Sequence, residues 1–432
     1  MKRKIIEKFK LWKSTYGNVP LMVLGARQVG KTYSLDEFCR ENYKNYIYIN
    51  LESDDSIREV FEKYSDPKRI MNTISILKGI HIDIEETVIF FDEMQVSEKA
   101  ISSLKYFNEA NESYNIVCAG SMLGVALNRF KHSFPVGKIY RIYMHPLDFE
   151  EYLWGIGERL LADEIARGYN ENKKLVEAIH KKALELYKEY LYIGGMPASV
   201  NEFVLKDKSL SAYDDVIKKS IVEDYLADMS KYTTASEHLK VNKLYKSIPK
   251  QLGRDNNKFN YKLVDEKGNK RKFETALEWL NYSFITNKCS LVDFPEIPLS
   301  VYKKENFFKI YLSDVGLLSQ LAGFTKKDIC SDEMKLFSGM LTENFVANMF
   351  ISNGINLYYW KSKHNAEIDF LINIDGHIIP VEVKAACNTK SKSLKVYIEK
   401  YNPAYAIRVS GKNFGLFNGI KSVPLYAVHL IK

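Results

Sequence analysis

Eight residues near the amino end have the spacing of a phosphate-binding loop. From Gly25 to Thr32 the chain follows Gly-x-x-x-x-Gly-Lys-[Ser/Thr], between a short apolar run and a segment with helical character. Gly25 and Gly30 let the backbone turn so that its N–H groups face phosphate oxygens, and the following helix adds its positive dipole end. Lys31 would contact the β- and γ-phosphates, and Thr32 would offer a hydroxyl to Mg²⁺. A plain glycine-rich turn is the alternative, and the strand–helix context favours the phosphate loop.

The residues expected to contact the nucleotide are Gly25, Ala26, Arg27, Gln28, Val29, Gly30, Lys31, Thr32 and Tyr33.

Two carboxylates follow a second apolar segment. Residues 88–91 are consecutive apolar residues, and Asp92 and Glu93 come directly after them. Such a run is typical of a buried parallel strand, and open α/β sheets bind ligands at the carboxyl ends of their strands. Asp92 would orient Mg²⁺, and Glu93 would polarise the attacking water. Taken alone, the pattern also fits a strand that ends in an acidic turn, but its position after the loop favours a catalytic pair.

A third strand is predicted at 115–119 and ends at Ser121. Ser121 is a candidate catalytic residue, because a hydroxyl at the end of this strand would reach the γ-phosphate or the water. A serine that caps the next helix explains the same residue equally well.

Another group of polar residues lies near the carboxyl end. Asp369 starts one predicted strand, and Glu382 and Lys384 share a face of the next strand, joined by a short turn. Glu343 lies upstream on a predicted helix at 339–353. This is the PD-(D/E)xK nuclease pattern, in which Asp369, Glu382 and Glu343 would hold Mg²⁺ and Lys384 would orient or deprotonate water. The alternative is an exposed hairpin with paired charges.

Composition limits the class of protein. The 432 residues carry a net charge of +8, which permits contact with nucleic acid without arguing for it. The five cysteines are far apart and form no C-x-x-C pair, so neither a zinc site nor a disulfide framework is indicated. The sequence has neither a secretory signal pattern nor a run of eighteen apolar residues. We therefore expect a cytoplasmic protein without a membrane span.

The elements between the two groups read as helical. From about 155 to 235 the pattern is helical, with an apolar stripe formed by Leu175, Ile179, Ala183, Leu186 and Tyr190. Gly194-Gly195-Met196-Pro197 interrupts this pattern, and a packed interhelical turn is the favoured interpretation.

Residues 236–300 have the order of a winged helix, with predicted helices at 241–253 and 273–284 before strand-like residues 284–292. The second helix carries two acids, which weakens a recognition-helix interpretation. A basic cluster at Lys267 and 270–272 would contact nucleic-acid phosphates or form a solvated loop.

Five motifs occur in an order that resembles a known family. They are Leu24–Thr32, Phe91–Gln95, Ala119–Ser121, Pro146–Glu151 and Gly194–Pro197. Together they are similar to a widespread bacterial and archaeal family of AAA+-type ATPases with a C-terminal restriction-endonuclease-like domain. The resemblance implies an α/β P-loop NTPase domain at 1–155, a helical lid at 156–235, a winged-helix-like segment at 236–300 and a nuclease-like α/β domain at 301–432.

One position departs from the family pattern. Members commonly have Gly-Arg before the Pro-Leu-x-Phe motif, whereas here Lys138 follows Gly137. A lysine lacks the planar fork of a guanidinium, so an arginine-finger role would pass to Arg129 or Arg141, or be weakened. Both a monomer and a ring of subunits remain open.

Three functions follow from these patterns. The first is an ATP-hydrolysing, Mg²⁺-dependent switch whose nucleotide state controls the C-terminal domain. The second is a Mg²⁺-dependent DNA endonuclease gated by ATP. The third is a module that binds DNA or a partner protein and cuts nothing.

Overall fold

The structure is a computed structural model that describes residues 1–121, 124–125, 137–231, 233–254, 257–330, 338–363, 366–385 and 392–432. These residues form two compact units. The N-terminal unit comprises Arg3–His145 and Tyr282–Phe284, and the C-terminal unit comprises Met1–Lys2, Pro146–Asn281 and Ile285–Lys432.

The N-terminal unit is built on a five-stranded sheet. Its strands are β1 (Leu21–Leu24), β2 (Asn45–Asn50), β3 (Thr87–Asp92), β4 (Asn115–Ala119) and β5 (Tyr140–Tyr143). They lie in the order β2-β3-β4-β1-β5, and every neighbouring pair is parallel. The helices are α1 (Ile5–Tyr16), α2 (Lys31–Asn42), α3 (Asp55–Lys63), α4 (Pro67–Lys78) and α5 (Glu98–Glu109).

Strand β3 is apolar because it lies inside the sheet, between β2 and β4. All six of its residues are buried, as expected for a parallel strand covered on both faces. Because the strands are parallel, the segments that follow β1, β3 and β4 leave the sheet at the same edge. The phosphate loop, Asp92 and Ser121 therefore share that edge, as the sequence predicted.

The C-terminal unit contains an eight-stranded mixed sheet. Its strands are β6 (Thr286–Val292), β7 (Lys303–Leu312), β8 (Tyr358–Lys361), β9 (Glu367–Ile374), β10 (His377–Val383), β11 (Ala406–Ser410), β12 (Gly415–Phe417) and β13 (Ile420–Pro424). The order is β12-β13-β11-β10-β9-β8-β6-β7. The predicted hairpin is present, because β9 and β10 pair antiparallel around the turn at Asp375 and Gly376.

Helices make up much of the rest of this unit. They are α6 (Phe149–Gly155), α7 (Arg159–Glu171), α8 (Glu177–Ile193), α9 (Pro197–Leu205), α10 (Val216–Lys231), α11 (Ala235–Leu252), α12 (Lys270–Tyr282), α13 (Val315–Ala322), α14 (Lys326–Cys330), α15 (Ser338–Ser352) and α16 (Lys392–Tyr401). None of the helices in the described residues has the length and apolar character needed to cross a bilayer.

The architecture differs from the predicted boundaries. The helices expected to form a separate lid belong to the same compact unit as the C-terminal sheet. The strand expected to form the wing is β6, which pairs with β7 on one side and with β8 on the other. A boundary at 300 would therefore cut a hairpin of the eight-stranded sheet. The order helix–helix–strand alone did not reveal this, because the partner β8 lies far along the chain.

The double glycine after α8 is a packed turn, as the sequence favoured. Gly194 has a φ of +79°, and a Cβ there would lie 2.3 Å from Oδ1 of Asp314. Asp314 accepts hydrogen bonds from the backbone N–H of Gly195 at 2.6 Å and of Leu317 at 2.9 Å. Of the predicted stripe, Leu175, Ala183 and Tyr190 are buried, whereas Ile179 and Leu186 are half-buried and α8 also buries His180 and Tyr187.

Candidate functional site

The phosphate loop joins β1 to α2 and has the backbone that its glycines predict. Gly25 has a φ of +152°, and a Cβ there would lie 2.2 Å from the carbonyl oxygen of Met144. Gly30 has a φ of +94° and caps the amino end of α2. Arg27, Thr32 and the 59%-exposed Tyr33 face solvent at the surface of this loop. The loop thus presents the start of a helix to an anion.

Lys31 is buried in the loop. Its Nζ donates hydrogen bonds to the carbonyl oxygens of Gly25 at 2.9 Å and Ala26 at 2.7 Å. Burial lowers the pKa of Lys31 to about 8, although the charges of Glu93 and Asp92 oppose this shift. The ammonium group is therefore costly to keep charged where it lies, and an anionic ligand would stabilise it.

Asp92 and Thr32 come together from separate motifs. The Thr32 hydroxyl donates to Oδ2 of Asp92 at 2.8 Å, and the same oxygen accepts from the Tyr48 hydroxyl at 3.1 Å. Asp92 is 4% exposed. A hydroxyl and a carboxylate in contact at the end of a helix and a strand are oxygen ligands of the kind that Mg²⁺ takes, with waters completing its shell. The residues present thus fit a bound Mg²⁺.

Glu93 follows Asp92 in the left-handed conformation, with a φ of +52°. Its carboxylate accepts a hydrogen bond from the side-chain amide of Gln95, and its backbone N–H donates to Oδ1 of Asp92 at 2.9 Å. A non-glycine residue held at positive φ is uncommon and recurs at functional sites.

The remaining predicted residues of this unit are placed as follows. Ser121 is 9% exposed and lies just beyond β4. Lys138 forms an ion pair with Glu109 at 3.2 Å. Arg141 is exposed on β5, and Arg129 lies outside the described residues. The arginine finger therefore stays a prediction.

Arg3 supports the phosphate loop and was not singled out from the sequence. Its guanidinium donates to the carbonyl oxygen of Val29 at 2.8 Å and to that of His145 at 2.7 Å. Arg3 is 7% exposed, so it joins the loop to the end of β5 from inside the unit. One basic residue among several at an amino end gives no signal of such a role.

The C-terminal hairpin places three predicted residues near one another. Asp369 on β9 accepts a hydrogen bond from the backbone N–H of Val383 at 2.8 Å. Glu382 is 2% exposed and forms ion pairs with Lys384 at 3.3 Å and Arg408 at 3.5 Å. Burial and the nearby charge of Glu343 raise the pKa of Asp369.

Lys309 forms ion pairs with two carboxylates close to this hairpin. It lies on β7 with a side chain only 1% exposed, and its Nζ is 2.8 Å from Oε1 of both Glu343 and Glu367. Glu343 also accepts hydrogen bonds from the Tyr311 hydroxyl and, at 2.7 Å, from the Asn257 amide. Burial alone would lower the pKa of Lys309, but the charges of Glu343, Glu367 and Asp369 raise it well above its usual value.

The predicted metal centre at Asp369, Glu382 and Glu343 stays a prediction. In the part of the chain that the structure describes, no group of three or more His, Cys, Asp or Glu side chains is arranged to hold a metal ion. Glu343, which was expected to complete the metal shell with Asp369 and Glu382, instead holds the ammonium of Lys309. One signal for Lys309 is visible in the sequence, a lysine among the mainly apolar residues of Phe307–Leu312, but it does not identify the partners.

The parallel sheet and the phosphate loop of the N-terminal unit define a P-loop domain. Residues 18–153 match the family described as AAA domain. Residues 184–328 and 338–428 match two families described as domains of unknown function, DUF8612 and DUF4143. None of the curated proteins matches the chain.

Several solved structures are similar at low sequence identity. A Walker-type ATPase of Pyrococcus abyssi is 16% identical, with a TM-score of 0.45 over 74% of this chain and 95% of that chain. The Aeropyrum pernix ORC2 protein, in ADPNP–ADP complexes, is 10% identical, with a TM-score of 0.39 over 76% and 92%. Drosophila ORC bound to DNA is 11% identical, with a TM-score of 0.30 over 74% and 95%. Similarities at these scores carry no conclusion about function.

Proposed function

We propose that the protein binds ATP with Mg²⁺ in the N-terminal unit and hydrolyses it, as a cytoplasmic nucleotide-driven switch. The observation that carries this proposal is the 2.8 Å contact between the Thr32 hydroxyl and the Asp92 carboxylate. It joins the two predicted Mg²⁺ ligands, which are sixty residues apart in sequence, at the end of the loop that carries Lys31.

Each residue then has a defined task. The N–H groups of residues 25–33 and the Lys31 ammonium bind the phosphates, and Thr32 and Asp92 hold the metal. Glu93, kept in place by Gln95, orients the attacking water, and Ser121 contacts the γ-phosphate or that water. Bound Mg²⁺ would neutralise charge that develops on the phosphate oxygens.

The nucleotide state would control the C-terminal unit through the covalent path of the chain. The chain passes between the units after residues 2, 145, 281 and 284. The first crossing precedes a segment tied to the site and the second crossing follows one, since Arg3 bonds the phosphate loop and Met144 donates its N–H to the carbonyl oxygen of Leu24 at 2.8 Å. A change in the conformation of the phosphate loop on hydrolysis would therefore shift the residues at which the chain enters and leaves the N-terminal unit.

The decisive experiment compares Glu93→Gln with wild type. The variant keeps the size and hydrogen bonding of the side chain but removes its charge, so ATP binding should persist while hydrolysis falls about 100-fold or more. Equilibrium binding of a fluorescent ATP analogue and steady-state phosphate release measure the two quantities. Glu59→Gln, on the exposed side of α3, is the matched control and should match wild type. Hydrolysis at the wild-type rate in Glu93→Gln would refute the proposed role.

For the C-terminal unit, we favour a binding module for DNA or a partner over a nuclease. The observation is the position of Lys309, whose ammonium already forms ion pairs with both Glu343 and Glu367. Plasmid nicking with Mg²⁺ and Mn²⁺ tests this, and we expect none in wild type. Nicking that disappears in Asp369→Ala would establish an active nuclease and reject the binding-module role.

A further inference from the structure

A groove of about 1090 Å³ lies on the C-terminal unit where the segment after α11 meets α12 and β7. It is separate from the hairpin residues that the sequence singled out, and of the predicted basic cluster it includes Lys270. Among the described residues that line it, four are basic and none is acidic: Arg254, Lys258, Lys262 and Lys270. This concentration of one sign of charge contrasts with the chain as a whole, where 62 basic residues face 54 acidic ones.

The four basic residues of the groove are compensated to different degrees. Among the described residues, Arg254 and Lys262 form no ion pair, and both are exposed. Lys270 has one partner, Glu274, at 3.4 Å on the same helix. Burial and the charge of Lys361 lower the pKa of Lys258. A concave surface with this charge attracts an anion with several charges.

Aromatic rings lie beside these charges. Phe259 and Tyr261 line the groove with ring centroids 5.0 Å apart. The Nζ of Lys258 lies 3.6 Å from the centroid of the Phe307 ring, which is 40% exposed. Rings between basic side chains are the arrangement on which the bases of a single strand stack while its phosphates meet the charges.

The groove has a fixed backbone. The side chain of Gln251, 1% exposed, donates to the carbonyl oxygen of Asn260 at 3.0 Å and accepts from its N–H at 2.9 Å. Phe259 donates its N–H at 2.8 Å to the carbonyl oxygen of Phe308, a residue of the edge strand β7. Gly268 admits no side chain, because a Cβ would lie 2.0 Å from the carbonyl oxygen of Tyr261. The wall that carries the charges is therefore held by packing and hydrogen bonds.

We propose that this groove binds single-stranded nucleic acid, with phosphates on Arg254, Lys258 and Lys262 and bases against Tyr261. A single strand is favoured over a duplex because the bases of a duplex are stacked on one another and do not reach side-chain rings. The inference deepens the proposed binding-module role of the C-terminal unit and rests on it. It does not depend on ATP hydrolysis in the other unit.

Fluorescence anisotropy of a labelled mixed-sequence 20-nucleotide strand, with the full-length chain, tests the proposal. The variant Arg254→Glu/Lys258→Glu/Lys262→Glu should bind at least about tenfold more weakly than wild type. The slope of log K against log salt should fall by about 2 in magnitude, at about 0.7 per lost phosphate contact. The matched control Lys174→Glu/Lys219→Glu/Lys327→Glu changes the net charge equally at exposed positions outside the groove.

If both triple variants bind the strand equally weakly, the groove proposal is wrong, because binding would then depend only on net charge. If the groove variant binds the strand with wild-type affinity, the groove proposal is also wrong. The binding-module role would then have to use another surface of the C-terminal unit. Tighter binding of the matching duplex than of the single strand would reject the single-strand assignment. If wild type binds no strand, the groove proposal fails, and the nicking assay still decides independently between module and nuclease. ATP hydrolysis without nucleic acid should be unchanged in both triple variants, which shows that each is folded.

Discussion

Each unit of the protein buries a lysine among carboxylates, and the two lysines are held differently. Lys31 donates to two backbone carbonyl oxygens, and its pKa is lowered to about 8 by burial. Lys309 lies 2.8 Å from carboxylate oxygens of both Glu343 and Glu367, and their charges outweigh burial and raise its pKa. The charge of the buried lysine is thus incompletely compensated in the N-terminal unit, whereas in the C-terminal unit it is paired with two carboxylates.

This difference separates a binding residue from a structural one. A buried charge without a carboxylate in contact is stabilised when an anionic ligand arrives, so part of its desolvation cost is offset on binding. A buried charge already held by two carboxylates has nothing to gain from a ligand, and its removal leaves those carboxylates unpaired. The predicted phosphate site therefore keeps its function in the proposal, whereas the predicted metal site does not.

The largest effect should come from Lys31→Ala. The change removes the only charge of the loop that is buried beside the phosphates, so ATP hydrolysis should fall at least about 100-fold and nucleotide binding should be lost or greatly weakened. Phosphate release and binding of a fluorescent ATP analogue measure both. Lys105→Ala, on α5, is the control. Unchanged ATP binding in Lys31→Ala would contradict the whole assignment of the N-terminal unit.

Lys309→Ala should greatly lower the stability of the protein, whereas Lys31→Ala affects its activity. Removing one partner of a buried ion pair typically costs about 3–5 kcal/mol, because the remaining charges stay buried. Urea unfolding followed by circular dichroism measures it, with the exposed Lys327→Ala expected within about 0.5 kcal/mol of wild type. Should Lys309→Ala unfold at the wild-type urea concentration, Lys309 is not a structural charge and the contrast with Lys31 disappears.

A smaller loss of stability should follow Glu367→Gln, about 1–3 kcal/mol at pH 7, because Lys309 keeps Glu343 but loses its second carboxylate. Burial raises the pKa of Glu367, but Lys309 and Lys361 outweigh this and lower it below the ordinary value of 4.5. The stability that this carboxylate contributes is present above pH 4.5 and is lost as the pH falls through its folded-state pKa.

The difference between wild type and Glu367→Gln should therefore shrink as the pH falls below 4.5. Urea unfolding at pH 7 and at several acidic pH values tests this. A difference that stays constant would show that the ion pair with Lys309 is not its source.

The smallest effect is expected for Tyr48→Phe. Its hydroxyl donates to Oδ2 of Asp92 at 3.1 Å, and the loss of such a bond costs about 1 kcal/mol. The Mg²⁺ concentration that half-activates ATP hydrolysis should rise about fivefold. Tyr46→Phe, whose hydroxyl bonds Asp36 instead, should leave it unchanged. An identical Mg²⁺ dependence in the two variants would exclude Tyr48 from the support of the metal ligand.

Local patterns in the sequence were enough for much of the fold. The phosphate loop, the buried strand before Asp92 and the β9–β10 hairpin all lie where periodicity, glycine spacing and turn residues predicted them. Each depends on contacts among residues close in sequence, or on the burial of a short apolar run. Pairing of β6 with β8 joins residues 68 apart in sequence, such as Ser290 and Tyr358, and has no such local signal.

By itself, the sequence determined which residues would line a phosphate site, because glycine conformation, a helix start and strand ends are local properties of the backbone. Only the tertiary structure decided how charges are paired. It brought Lys309 from β7 to Glu343 and Glu367 on distant elements, and it collected the basic residues of the groove on one wall. The physical reason is that the free energy of a buried charge depends on what lies within a few ångströms in space, which residue order does not specify.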